Sequence, residues 1–212
     1  MYFLKRNVVV ILVVIFSIVT PKTANAQELN ASRIEFITKY ADIAMRLGAK
    51  YDLPWETAMG IAIYESQGGT SYSAIKRHNF HGISAGRVGT NKNFASDEEG
   101  WDAFYVNLLE KSCYAKALQF RDDPNMYFEA IVKGGYNPNH KEYIAKVGPF
   151  IEAVIRYREE QNLPTSQEYR MVYNTLNNQP VIDYALYTVI DPETTVCISE
   201  NAVTPCETTT TI

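Results

Sequence analysis

The sequence predicts a small, mainly α domain, and three observations carry that expectation. Apolar residues recur at three- and four-residue spacing in a series of stretches between residues 34 and 154. Those stretches are bounded by helix-starting and helix-ending residues such as Pro54, Gly68-Gly69, Ser96 and Asp123-Pro124. Residues that favour strands gather only near the end, over 181–198.

The elements follow in chain order. Ile34, Ile37, Ala41, Ala44 and Leu47 form one helical stripe, closed by Gly48. Pro54 opens a second helix that ends at Gly68-Gly69. Residues 76–95 hold three glycines and little periodicity, so a loop with a short hairpin is expected there. Ser96 and Glu99 have capping-box spacing, and Trp101, Phe104, Tyr105 and Leu108 share the face of the helix that follows. A short helical piece over Tyr114 to Phe120 precedes a helix from Asp123-Pro124 to Gly134-Gly135. The last helical stretch carries Tyr143, Val147, Ile151 and Val154, and Gly148-Pro149 is expected to kink or split it.

The domain therefore occupies residues 27–160. Residues 161–212 read as a β-prone appendage with a disordered threonine-rich end. Residues 1–26 read as a secretory signal peptide. Lys5-Arg6 precede an apolar run from Val8 to Val19, and Ala24-Asn25-Ala26 forms a small-x-small exit. That run rises only about 18 Å as a helix, against a hydrocarbon core roughly 30 Å thick, so no anchor remains after cleavage. The expected location is the periplasm or the cell exterior.

Composition then removes several function classes. Beyond residue 26 the chain carries 17 basic against 24 acidic residues, a formal charge of −7, which excludes phosphate-backbone binding to nucleic acid. Nor would bulk attraction hold any other polyanionic polymer, so the site itself must do the gripping, and aromatic residues are available for it: 12% of the chain, with 15 Tyr. Cys197 and Cys206 stand close enough in sequence to close a small loop or to remain two free thiols, whereas Cys113 falls in a helix. His78 and His81 lie in a loop with no neighbouring carboxylate and no His-Glu-x-x-His pattern, so neither a metal nor another cofactor is expected.

Glu65 is the informative position. Ala62, Ile61 and Ala58 precede it by three, four and seven residues, which places its carboxyl on an apolar stripe in the last turn of the second helix. Burial and the negative end of the helix dipole both disfavour the charged form. A carboxylic acid that keeps its proton near neutral pH can protonate the leaving oxygen of a glycosidic bond.

The sequence around it resembles a known family. Ala58 to Ser71, AMGIAIYESQGGTS, resembles the helix-and-turn core of bacterial glucosaminidases, the flagellar and autolysin-type peptidoglycan hydrolases of glycoside hydrolase family 73. Asn79-Phe80-His81-Gly82-Ile83, Phe94 to Glu99, and Gly135-Tyr136 followed by Tyr143 to Val147 resemble three later blocks of that family in the same order. The resemblance implies a lysozyme-like helical fold with a short loop or β-hairpin lobe beside a glycan groove. It implies Glu65 as general acid, Tyr136 beside it, and Asn79, Phe80 and Tyr143 as substrate contacts. It further implies an endo-β-N-acetylglucosaminidase acting on the glycan strand of peptidoglycan, and the chain is expected to be a monomer.

Ser84 to Asn93 lacks the acidic residue that many members carry in this lobe. Asp97 and Glu98 are the nearest candidates for a second carboxylate; otherwise they are solvated first-turn acids that favour the helix dipole. Without a second carboxylate the acetamido group of the substrate would attack. Asn137-Pro138-Asn139-His140 also departs from the family's closing block. Two alternatives stand beside the hydrolase: a lytic transglycosylase working from the same glutamate, and a non-catalytic wall-binding protein of the same fold.

Overall fold

The computed structural model describes residues 29–86, 89–177, 198–199 and 202–203. The expected signal peptide, Cys197 and Cys206, and nearly all of the β-prone stretch lie outside these residues. Among the described residues no helix is long and apolar enough to cross a membrane.

The fold is mainly α, as expected. Helix α1 spans Ala31–Tyr51, α2 Trp55–Ser66, α3 Tyr72–Arg77, α4 Asp97–Glu110, α5 Pro124–Ile131, α6 His140–Glu160 and α7 Ser166–Leu176. A 3₁₀ segment, Ser112–Phe120, links α4 to α5, and α5 continues into a π turn, Val132–Tyr136. Two two-residue strands, Ile198–Ser199 and Ala202–Val203, pair antiparallel.

Helix α2 is the axis of the domain. Every residue from Trp55 to Ile63 is buried, and so is Ser66, because α1, α5 and α6 all pack on it. The stripe expected to be buried on one face is therefore a helix buried on all faces, the mark of a central helix. Phe36, Tyr40, Phe80 and Trp101 form an aromatic cluster, and Tyr127, Phe128, Tyr143 and Val147 belong to the same continuous core. The Tyr105 hydroxyl donates to the Ala44 carbonyl at 2.9 Å and ties α4 to α1.

Four local expectations need correction. Gly48 does not end α1, which runs on to Tyr51 and stops where Asp52 turns left-handed at φ 56°. Gly48 serves close packing instead: a Cβ there would stand 2.9 Å from the Leu53 carbonyl oxygen and 3.2 Å from the Trp55 Cβ. Helix α6 is not split at Gly148-Pro149, since Phe150 and Ile151 on the next turn are buried against the core and hold it continuous. Helix α3 was not expected at all, although Ser71 caps it by accepting from the Ala74 N–H. The lobe that follows contains one antiparallel bridge, Ser84 to Asn91, and no strand among the described residues.

The largest correction concerns residue 160. Helix α7 packs along α1, and its first turn is bound into the core. Ser166 Oγ accepts from the Trp55 N–H at 2.8 Å and donates to Glu56 Oε2, while the Trp55 indole donates to the Pro164 carbonyl at 3.1 Å. Arg170 reaches back to Asp52 at 2.6 Å. A boundary at residue 160 thus cuts through a packed unit whose described part runs to residue 177.

Candidate active site

Glu65 sits in the last turn of α2, next to Ser66, whose hydroxyl accepts the Gly69 N–H at 2.8 Å and closes the turn. The Tyr143 hydroxyl, arriving from α6, donates to Glu65 Oε1 at 2.6 Å. Burial raises the Glu65 carboxyl above the usual carboxylate range, and the Tyr143 hydrogen bond pulls it partly back. Tyr143 is itself raised by burial and by its neighbours, so it remains a hydroxyl and a donor.

Three aromatic rings hold Tyr143 in place. Tyr64 meets it edge-on at 5.9 Å between centroids, Phe128 lies at 5.9 Å and Tyr136 at 5.8 Å. Only 5% of Tyr143 is exposed, so the family-implied role of direct substrate contact gives way to a contact with Glu65. Tyr136 stands behind Tyr143, and its hydroxyl is raised by burial first and then by the charge of Glu65.

The loop after α3 covers the other side of Glu65. Gly82, exposed and at φ +68°, lies so close that a Cβ on it would stand 3.5 Å from Glu65 Oε2. Asn79 shapes this loop from inside. Its amide donates to the Ile83 carbonyl at 2.9 Å and the Lys92 carbonyl at 3.0 Å, and its carbonyl accepts the Ile83 N–H at 2.9 Å. Phe80 is buried against Phe36, Tyr40 and Trp101. Neither side chain can touch a substrate from there, which corrects both expectations: Asn79 satisfies loop backbone and Phe80 anchors the loop to the core.

His81 turns inward as well. Its ring stacks on Phe104 at 3.8 Å, its Nε2 lies 3.3 Å from the Ala58 carbonyl, and burial lowers its pKa to about 3. Among the described residues no three His, Cys, Asp or Glu side chains gather where a metal could be held.

Asp97 and Glu98 face other partners. Asp97 binds His78 Nδ1 at 2.5 Å and accepts the Tyr40 hydroxyl at 2.8 Å, and Glu98 pairs with Arg46 at 3.0 Å. Asp97 thus holds α4 and the residue after α3 against α1, and Glu98 ties α4 to α1 again. Ser96 caps α4 as expected, but Glu99 returns to the Ala95 N–H at 2.6 Å, one residue earlier than a capping box requires.

Glu56 was missed. It is fully buried in the first turn of α2, with Arg158 at 2.7 Å and Ser166 on its carboxylate. The spacing argument that singled out Glu65 applies forward from Glu56 to Met59, Gly60 and Ile63, so a signal existed.

Residues 41–156 match the glucosaminidase family, described as mannosyl-glycoprotein endo-beta-N-acetylglucosaminidase. Among solved structures, one chain of a type VI secretion system effector–immunity complex from Pseudomonas protegens is similar. It is 27% identical, aligned over 60% of this chain and 94% of that chain, with a TM-score of 0.47. No curated protein matches.

Proposed function

The chain belongs to the glucosaminidase family of glycoside hydrolases, and from that premise we propose an exported endo-β-N-acetylglucosaminidase that cleaves peptidoglycan with Glu65 as its general acid. The observation that carries the reading is the Glu65 carboxyl: raised by burial, held by one neutral donor, and reached from the exposed backbone at Gly82. The segment from Lys5 to Ala26 supports export to the wall.

The reaction follows from which groups are free. The glycan binds so that the glycosidic oxygen meets the protonated Glu65. Proton transfer lets the leaving sugar depart as its alcohol, while the carbonyl oxygen of the 2-acetamido group bonds to the anomeric carbon. Water then opens that ring with its proton passing to the Glu65 carboxylate, which restores the acid and retains the anomeric configuration. Asp97 and Glu98 take no part, because each has a partner on α1.

Digestion of purified sacculi, read by mass spectrometry and by NMR of the first product, tests this. Soluble fragments with reducing N-acetylglucosamine ends in the β configuration are expected. An inverted α-anomer would require a base that activates water, and 1,6-anhydro ends would mean a transglycosylase. Intact sacculi would leave only binding.

A further inference from the structure

The two oxygens of Glu65 meet different surroundings, and this deepens the proposed reaction. Tyr143 occupies Oε1 with a hydroxyl that donates to it at 2.6 Å. An oxygen that accepts such a bond is a poor place for the acid's own proton. Oε2 lies instead against the exposed Gly82, where the absent side chain leaves room beside it. We infer that Tyr143 is a positioning residue that locks Glu65 through Oε1, so that the transferable proton sits on Oε2 and the glycosidic oxygen approaches over Gly82.

The surrounding groups support one direction of proton traffic. Tyr143 from α6 and Tyr136 from the π turn are the titratable groups facing Glu65, and burial keeps both protonated. Tyr64, next to Glu65 on α2, meets the ring of Tyr143 with its edge. Lys146 is bound to Glu142 at 2.6 Å, and His81 is stacked in the core. Tyr143 is therefore the hydrogen-bond donor that fixes the acid. Because its ring is gripped by Tyr64, Phe128 and Tyr136, removing the hydroxyl alone should leave the packing in place.

The test is the pH profile of sacculus cleavage by the full chain with Tyr143→Phe and with 3,5-difluorotyrosine at position 143. A general acid must be protonated, so its titration appears as the alkaline limb. Loss of the donor favours the neutral carboxyl and moves that limb up by about half a pH unit or more, and kcat falls about tenfold with KM little changed. The more acidic difluorotyrosine is a stronger donor and moves the limb down, in a protein of unchanged shape. Gly82→Ala should lower activity without moving the limb, since its methyl group would stand 3.5 Å from Oε2, in the path of the glycosidic oxygen, and leaves Tyr143 alone. Unmoved limbs in both Tyr143 proteins, with Glu65→Gln inactive, would overturn the positioning role and leave Glu65 as the acid. Activity in Glu65→Gln would instead remove the reading on which this inference rests.

Discussion

Glu56 and Glu65 stand nine residues apart on one helix, and the domain treats them in opposite ways. Glu56, in the first turn of α2, is wholly buried, yet Arg158 at 2.7 Å and the hydroxyl and N–H of Ser166 surround its carboxylate. Glu65, in the last turn, keeps part of its surface and has one neutral donor, Tyr143. The more buried of the two is thus the one whose charge is answered, and it serves to bind α6 and α7 to α2. Burial alone does not mark a catalytic carboxyl; the partner decides. A cation makes a buried carboxylate structural, whereas a neutral donor beside open space leaves it able to hold a proton.

Matched substitutions should break this contrast apart. Glu65→Gln should lower cleavage by at least 10²–10⁴-fold, the range for a lost proton transfer. Its melting temperature should not fall, because a carboxyl raised by burial works against folding at neutral pH. Glu56→Gln should do the reverse. It strands Arg158 against a buried amide and should cost about 3–5 kcal/mol of stability, with activity per folded molecule unchanged. Thermal melts paired with turnover on sacculi separate the two, and a shared pattern of loss in both variants would erase the distinction.

Truncation after residue 160 attacks the same buried carboxylate from its other partner. It removes Ser166 from Glu56 and the Pro164 carbonyl from the Trp55 indole. The shortened chain should melt well below a chain ending at residue 177. Equal melting of the two lengths would show that α7 only decorates the domain.

The smallest effect concerns His81, which the fold keeps neutral. Its folded pKa is lowered to about 3 from 6.5, so above pH 6.5 neither state is protonated and stability is unaffected. Below that value the unfolded chain binds a proton that the folded one refuses, and stability falls until the folded pKa is reached. Between pH 6.5 and 5 the loss should be about 2 kcal/mol. His81→Gln should flatten that slope in a pH series of melts, and an unchanged slope would place the acid sensitivity elsewhere.

Much of the helical frame was legible from short-range rules. Stripes and caps gave the starts of α2, α4 and α5, and the turn after Glu65 placed that carboxyl at the end of the central helix. Even α7 had a local signature. Thr165 and Glu168 form a complete capping box ahead of Tyr169, Val172, Tyr173 and Leu176, but the strand-like residues beyond drew the boundary too early.

Sequence by itself determined where most of the helices start, α3 and α7 apart, and that a carboxyl would lie on an apolar surface, because capping and periodicity act within a turn or two of chain. Tertiary structure decided what each carboxyl meets. Tyr143 reaches Glu65 across 78 residues, and Ser166 reaches Glu56 across 110. It also drew Asn79 and Phe80 inward, since the loop they occupy must satisfy its own backbone and close over the aromatic cluster. Such pairings depend on which helices pack together, and helix packing is set by the sum of many apolar contacts rather than by any local pattern.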